Sequence, residues 1–255
     1  MTDQQTKAKL FRTLHVAGRP LVLFNVWDPG STKAVAAAGA LAIATGSWSV
    51  AAAHGFPDGE KLPWALALDN LVRIVTTTVL PVSFDIESGY GDDPAAVGRS
   101  VSGLLAVGAI GCNIEDSFPA TGKLRAIEDQ VERLRAARAA AAHTGIDAFI
   151  NARIDVFFQA GPEAHDGAMV DAAITRAEAF AAAGADGVFL PGVVDIGLIE
   201  ALAKRSPLPL NIMAGAASPD LAALARAGVA RVSHGPGPYL AAMRALTDAA
   251  KAAAL

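Results

Sequence analysis

One pattern recurs along the chain and limits what it can fold into. An alanine-rich helical stretch ends at a glycine, a short apolar run follows, and a polar or glycine-rich segment comes next. It appears as Ala37-Ala38-Gly39, then 41–44, then Thr45-Gly46-Ser47. It returns at Val107-Gly108, Thr144-Gly145, Ala183-Gly184 and Ala227-Gly228, followed by runs over 110–114, 148–150, 187–190 and 229–232. A glycine at a helix end tolerates the left-handed cap conformation. Short runs that are apolar throughout suit strands buried on both faces of a parallel sheet. Strands over 20–26, 80–86 and 207–212 complete a set of eight. Helices are expected over 4–17, 30–38, 63–79, 94–107, 126–143, 167–183, 195–205, 218–227 and 237–252. Eight strands alternating with helices in 255 residues predict a (β/α)8 barrel, with an open doubly wound sheet as the second possibility. No linker or low-complexity tract interrupts the pattern, so one domain over 1–255 is expected.

Composition narrows the function classes. The chain is 53% hydrophobic with a net charge of −4, which argues against nucleic acid or an anionic membrane as the main partner. There is one cysteine, Cys112, so no internal disulfide can form and a reducing compartment fits. The first ten residues are polar and mixed in charge, with no signal-peptide apolar region. No apolar run is long enough to span a bilayer. A cytoplasmic protein is expected.

In a barrel of this kind the site lies at the C-terminal strand ends. Those ends hold Asn25 and Asp28, Thr45 to Ser49, Asp85 and Glu87, Glu115 and Asp116, Arg153 and Asp155, Asn211, and Ser233 and His234. Asp85 and Glu87, two apart in an extended chain, point to one side. Acids on an otherwise apolar strand are costly unless a cation joins them, and a hard divalent ion with oxygen ligands is the candidate. Glu115 on the neighbouring strand and Asp58 after strand two extend the set; alternatively these acids cap helices or pair with arginine. The five histidines are scattered and no Cys-x-x-Cys occurs, which disfavours zinc. No lysine sits at a strand end, which disfavours a Schiff-base aldolase.

Arg153 has the fork that grips a carboxylate, or it pairs with Asp155 or Glu115. The small residues Thr45, Gly46 and Ser47 let backbone N–H groups approach an anion, or form only a tight turn. The loop over 118–125, with Gly122, Lys123 and Arg125, is either a lid or a solvated connection. His234 faces the site if the strand register holds, as a proton carrier or substrate contact, or is a hydrogen-bonded loop residue.

Phe84-Asp85-Ile86-Glu87-Ser88-Gly89-Tyr90-Gly91 and Asn113-Ile114-Glu115-Asp116-Ser117 resemble the two central motifs of the isocitrate lyase/phosphoenolpyruvate mutase superfamily. Asn151-Ala152-Arg153-Ile154-Asp155 resembles its strand-five motif, and Gly55-Phe56-Pro57-Asp58-Gly59 also matches. The resemblance spans about residues 21–239. It implies a modified (β/α)8 TIM barrel, often tetrameric, with a C-terminal helix swapped between subunits. It implies Mg²⁺ or Mn²⁺ and an α-oxocarboxylate or its enolate. Asp85 would then bind the metal most directly, with Asp58, Glu87 and Glu115 acting through metal-bound waters. Arg153 would take the carboxylate, the backbone of Thr45 to Ser47 the oxo or carboxylate oxygens, and Asn211 and Ser233 further substrate contacts.

The departures matter as much. Lyases of the superfamily that cleave isocitrate or methylisocitrate carry Lys-x-Cys-Gly-His on the loop after strand four. Here Lys123 stands without the Cys or the His, which argues against those two reactions. Mutase members use an Asn in that loop and a His after strand six; this loop has no Asn, and strand six ends Leu190-Pro191. His234 resembles a histidine near strand eight in the oxaloacetate-decarboxylase branch. The expected function is a Mg²⁺-dependent C–C lyase or decarboxylase of a small α-oxo or α-hydroxy di- or tricarboxylate, acting through a pyruvate-like enolate, in a homo-oligomer. A P–C bond enzyme (a mutase or phosphonopyruvate hydrolase) and a non-catalytic α-oxo acid binding barrel are the alternatives.

Overall fold

The computed structural model describes residues 3–253. Eight parallel strands run in sequence order around a barrel. They are β1 (Leu21–Leu23), β2 (Ile43–Ala44), β3 (Val82–Asp85), β4 (Gly111–Glu115), β5 (Phe149–Arg153), β6 (Gly187–Leu190), β7 (Leu210–Met213) and β8 (Arg231–Ser233). β1 pairs with β8, and a parallel bridge between Val26 and Thr45 joins the β1 side to β2. Val26 N–H donates to Ala44 O at 2.9 Å across that seam. The expected barrel is therefore present, and the open sheet is excluded.

Three strands, β1, β3 and β7, are shorter than the apolar runs that signal them. They begin after Pro20, Pro81 and Pro209, which bring no N–H to a ladder. Pro81 and Pro209 still accept through their carbonyls, from Ile43 and Val188.

Ten α-helices surround the barrel among the described residues: α1 (Asp3–Thr13), α2 (Pro29–Ala37), α3 (Ser47–Ala53), α4 (Trp64–Thr77), α5 (Pro94–Ala106), α6 (Ile127–Thr144), α7 (Gly167–Ala182), α8 (Ile196–Arg205), α9 (Leu221–Arg226) and α10 (Gly237–Ala253). Asp28, Asp93, Asp166, Asp195 and Asp220 each accept a backbone N–H three residues on. Each satisfies a donor that a helix start leaves unpaired, so much of the acid near the rim is structural. At the helix C-termini, Gly145 takes a left-handed cap with φ 72. Gly184 has φ 101, and a Cβ there would lie 2.9 Å from Arg138 Cγ.

Two elements differ from expectation. The segment 45–49, read as a strand-end turn, continues into helix α3, where a run of alanines favours the helical state. The first helix stops at Thr13 rather than 17, because Val16 and Arg19 pair across a tight turn with Gly18 at φ 79. α1 then closes the lower end of the barrel. Its Phe11 packs edge-on against Phe149 at 5.5 Å and joins the buried cluster of Leu21, Leu23, Ala42 and Ile110.

α10 departs from the pattern of the other helices. Pro238 is its one buried residue among those described, while Leu240 and Leu246 are 45% and 62% exposed. Val22 in β1 and Phe24 just beyond it are exposed as well. No helix among the described residues is long and apolar enough to cross a membrane.

Candidate active site

A cavity of about 230 Å³ opens at the C-terminal ends of the strands. Its acidic side is built on β3. Asp85 is the last residue of that strand, and its N–H donates to Thr45 Oγ1 at 3.0 Å. Its Oδ2 accepts from Ser47 N–H at 3.2 Å and from Ser47 Oγ at 3.1 Å, and its Oδ1 from Glu87 N–H at 3.2 Å. Asp58, from the loop between α3 and α4, lines the same cavity. Burial, then the charge of Asp85, raises the Asp58 pKa, against the pull of Arg153.

A second cavity adjoins the first and shares Asp58, Arg153 and Phe158 with it. Glu87 and Glu115 line this one, together with Phe118, Pro119 and Gly122 of the loop after β4. Burial pushes the Glu87 carboxyl up to about 8, and Asp58 adds to the shift. Burial likewise pushes Glu115 up to about 7, although Arg153 opposes it. Carboxyls held this high mark an excess of negative charge in a poorly solvated place.

Arg153 ends β5 beside Glu115, its register partner on β4. Its Nε and Nη2 donate to the two oxygens of Asp155 at 2.6 and 3.1 Å, and Nη1 meets Glu115 Oε2 at 2.7 Å. Burial opposes its charge, yet these acids outweigh that and hold the guanidinium above its usual range. Asp155 is the hub below it. Its N–H donates to Asp116 Oδ1 at 2.9 Å, and its Oδ2 accepts from Ser117 Oγ at 2.7 Å. Asp116 is fully buried and paired with Arg176 at 3.0 Å.

The other expected site residues divide. Gly46, Ser47 and Ser233 line the cavity. Thr45 and Asn211 do not: Thr45 orders Asp85 from beneath, and Asn211 Nδ2 donates to Ser233 Oγ at 3.1 Å. The amides of Thr45 and Gly46 are spent on Ser83 O and Val26 O, so Ser47 supplies the one amide of that turn beside Asp85. Lys123 is exposed on the loop and lines neither cavity.

His234 does not face the mouth. Strand side chains alternate, Ser233 points in, and His234 therefore points out. Its ring packs on Phe24 at 5.1 Å and lines an outer groove with Val22 and Leu221. The reading of His234 as a proton carrier at the site is corrected accordingly.

Several contributors carried no motif. Asn25 joins three strand ends: Nδ2 donates to Thr45 O at 2.8 Å, while Oδ1 accepts from His234 N–H at 2.9 Å and Gly235 N–H at 3.0 Å. Arg231 lies fully buried inside the barrel. Its Nη2 donates to Asn113 Oδ1 at 3.2 Å and its Nε to Ser233 Oγ at 3.3 Å. Among the described residues it has no acidic partner, Nη1 is unpaired, and burial pushes its pKa down to about 9. Its neighbours Asn113 and Ser233 both line the cavity. A buried basic residue at the start of a strand was the available sign, but nothing in the sequence tells an inward from an outward arginine there.

A (β/α)8 barrel with acids and a guanidinium gathered at its C-terminal strand ends has the layout of an enzyme. The chain belongs to the phosphoenolpyruvate phosphomutase family, whose model matches residues 11–254, and so to the phosphoenolpyruvate mutase/isocitrate lyase superfamily of lyases and mutases. A protein of Burkholderia cenocepacia J2315 that carries the provisional name phosphonomutase is 55% identical, with a TM-score of 0.96 over 98% of this chain and 99% of that chain. The oxaloacetate decarboxylase of Pseudomonas aeruginosa is 31% identical over 249 residues, 94% of this chain and 82% of its own. A phosphonopyruvate hydrolase solved with oxalate and Mg²⁺ is 25% identical, with a TM-score of 0.82 over 95% of this chain and 84% of that chain.

Proposed function

We propose that the protein is a Mg²⁺-dependent lyase or decarboxylase that breaks a C–C bond β to a carbonyl in a small α-oxo or α-hydroxy di- or tricarboxylate, leaving a pyruvate-like enolate. The observation that carries this reading is that Asp85 and Arg153 line one small cavity, a carboxylate and a guanidinium at the ends of β3 and β5. The decarboxylase among the relatives supports the reaction type, and the hydrolase bound to oxalate and Mg²⁺ supports the ion.

The donor set suits a hard ion. It consists of carboxylate oxygens, and no group of three or more His, Cys, Asp or Glu is close enough for an all-protein cage among the described residues. Mg²⁺ accepts such a site, keeping several waters on one or two carboxylates. Mn²⁺ would use the same oxygens. Asp85 would hold the ion most directly, with Asp58, Glu87 and Glu115 on its waters. Bound there, the ion supplies positive charge to the carboxylate and oxo oxygens of the substrate.

The protein's own groups do the rest. Three of the five N–H groups of Arg153 are engaged by Asp155 and Glu115, which leaves one on each terminal nitrogen for a substrate carboxylate. Ser47 can turn its N–H and Oγ from Asp85 to a substrate oxygen once a cation holds that carboxylate. The loop carrying Lys123 lies over the second cavity and serves as its cover.

A second copy of the chain completes the assembly in this reading. α10 exposes apolar residues, and Val22 and Phe24 are uncovered, as expected where each helix crosses to a partner. The buried free thiol of Cys112 suits a reducing compartment, and a cytoplasmic location is part of this reading.

The test is direct. Purified protein with Mg²⁺ is incubated with oxaloacetate, malates and citrate-type acids, and pyruvate or another enolate-derived product is assayed. No product from the panel rejects the reading. A P–C bond enzyme is the second reading, favoured by the 55% identity to the provisional phosphonomutase. Phosphorus NMR of phosphonopyruvate separates it: an unchanged spectrum with metal-loaded protein rejects it.

A further inference from the structure

The main cavity is divided in two by chemistry. The β2–β5 arc supplies Ser47, Asp58, Asp85, Asn113 and Arg153; the β6–β8 arc supplies Phe189, Pro191, Met213 and Pro236, with Ser233 as its one polar side chain and Phe158 and Trp48 beside them. Among the described lining residues Arg153 is the one cation, and its charge is matched by Glu115 and Asp155. The oxygens of the polar side chains nearest the apolar arc already accept bonds from the barrel. Asn25 is spent on three strand ends, Ser233 Oγ accepts from Asn211 and Arg231, and Asn113 Oδ1 accepts from Asn151 and Arg231. The wall itself is six largely apolar side chains and carries no ionised group.

We infer that the substrate has one charged end and one apolar end. This rests on the reading of the site as an α-oxo or α-hydroxy acid site and narrows it. The α-oxo carboxylate head lies by Asp85 and Arg153, and a branched alkyl or aryl substituent lies against Phe158, Phe189, Pro191 and Met213. A carboxylate or phosphoryl group placed on that wall would lose its water and meet no cation there, since Arg231 is buried behind Ser233 and Asn113 and does not line the cavity. An alkyl or aryl group there is favoured by the water it sheds. Lys123, the remaining cation on the nearby loop, is exposed and lines neither cavity. Simple tricarboxylates are therefore poor ligands, and a dicarboxylate is accepted when its second carboxylate is the group lost as neutral CO₂.

The experiment is a ligand ladder on the Mg²⁺-loaded wild-type protein, read by calorimetry and by quenching of tryptophan fluorescence, since Trp48 lines the cavity. The ladder is pyruvate, 3-methyl-2-oxobutanoate, phenylpyruvate and 2-oxoglutarate, with oxalate as the head-group control. The inference predicts that 3-methyl-2-oxobutanoate or phenylpyruvate binds at least tenfold tighter than 2-oxoglutarate and tighter than pyruvate. Met213→Lys, on a half-buried position, is expected to reverse that order toward 2-oxoglutarate. Equal or tighter binding of 2-oxoglutarate by the wild type overturns the inference while leaving the α-oxo acid reading in place. Failure of every ligand, oxalate included, overturns both.

Discussion

Glu60 and Glu87 hold each other's loops. Glu87 Oε2 accepts from Gly59 N–H at 2.8 Å and Glu60 N–H at 2.5 Å, while Glu60 Oε1 accepts from Ser88 Oγ at 2.8 Å and Tyr90 N–H at 2.7 Å. Glu60, Glu87 and Tyr90 all have positive φ, at 59, 52 and 56, a region that L-residues seldom occupy. The reciprocal clasp sustains that backbone. It sets Asp58, one residue before Gly59, against Asp85. Arg133 of α6 pins the same loop from behind, donating to the carbonyls of Ser88, Gly91 and Asp92.

Breaking the clasp should therefore act on the site from a residue outside it. Glu60→Ala leaves Ser88 Oγ and the Tyr90 N–H without their acceptor. Hydrogen bonds to charged groups are worth about 1.5–3 kcal/mol each, so urea unfolding should show a loss of a few kcal/mol at most. Mg²⁺ affinity should fall roughly tenfold as the Asp58 loop loosens. Unchanged Mg²⁺ binding in a folded Glu60→Ala protein would remove the clasp from any role at the site.

Asp85→Ala should abolish metal-dependent turnover, with a loss of roughly a hundredfold or more. The fold should survive, because losing this carboxylate relieves its repulsion on Asp58 and Glu87 while costing the bonds from Ser47 and Glu87. A melting scan without metal checks it. A collapse of the melting temperature would mean that the cluster is structural.

The raised carboxyls make stability depend on pH and on the ion. Glu87 is pushed up to about 8 in the folded chain from an ordinary value near 4.5. Its neutral form is therefore the one the fold prefers, so its stabilising contribution is complete below pH 4.5 and is lost as pH rises through about 8. With chelator present, unfolding free energy should decline across that window. Saturating Mg²⁺ should remove the decline, since a bound cation favours the charged form. Denaturant curves at pH 5.5 and 8.5, with and without Mg²⁺, give the comparison; parallel behaviour in both would contradict the assignment.

Arg231 offers a separate handle. It is buried, without an acidic partner among the described residues, and it touches Asn113 and Ser233 under the cavity floor. A charge buried without an acidic partner carries a desolvation cost that a well-packed apolar side chain does not. Arg231→Met should thus keep or raise the melting temperature. Oxalate affinity should drop several-fold, because the floor loses its one uncompensated positive charge. Unaltered oxalate binding would make the residue purely a matter of packing.

The exposed side of α10 predicts the oligomer. Leu246→Glu or Phe24→Glu should shift the sedimenting species to a smaller one, without altering the circular dichroism of the barrel. If both variants sediment as the wild type, these surfaces are not the interface.

Asp85, Glu115 and Arg153 could be placed from the sequence because each closes a strand, and in a parallel barrel all strand ends meet at one rim. The same logic failed one residue further on. His234 follows the inward Ser233, and a two-residue period puts adjacent side chains on opposite faces, so a single step of register moved it outside. Proline had a similar effect on the ladders, cutting three apolar runs to shorter strands.

The chain by itself determined the number and order of the strands, the helices that alternate with them and the acids at the rim. These follow from local periodicity, caps and residue type. Only the tertiary structure decided which donors are already spent. Ser47 N–H lies on Asp85 from 38 residues away, Glu60 holds Ser88 across 28, and Arg231 reaches Asn113 across 118. A hydrogen bond or ion pair satisfied at such separation leaves no local trace, since it is a property of two positions brought together. The division of the cavity into a charged arc and an apolar arc arises in the same way, from barrel closure rather than from any one stretch of sequence.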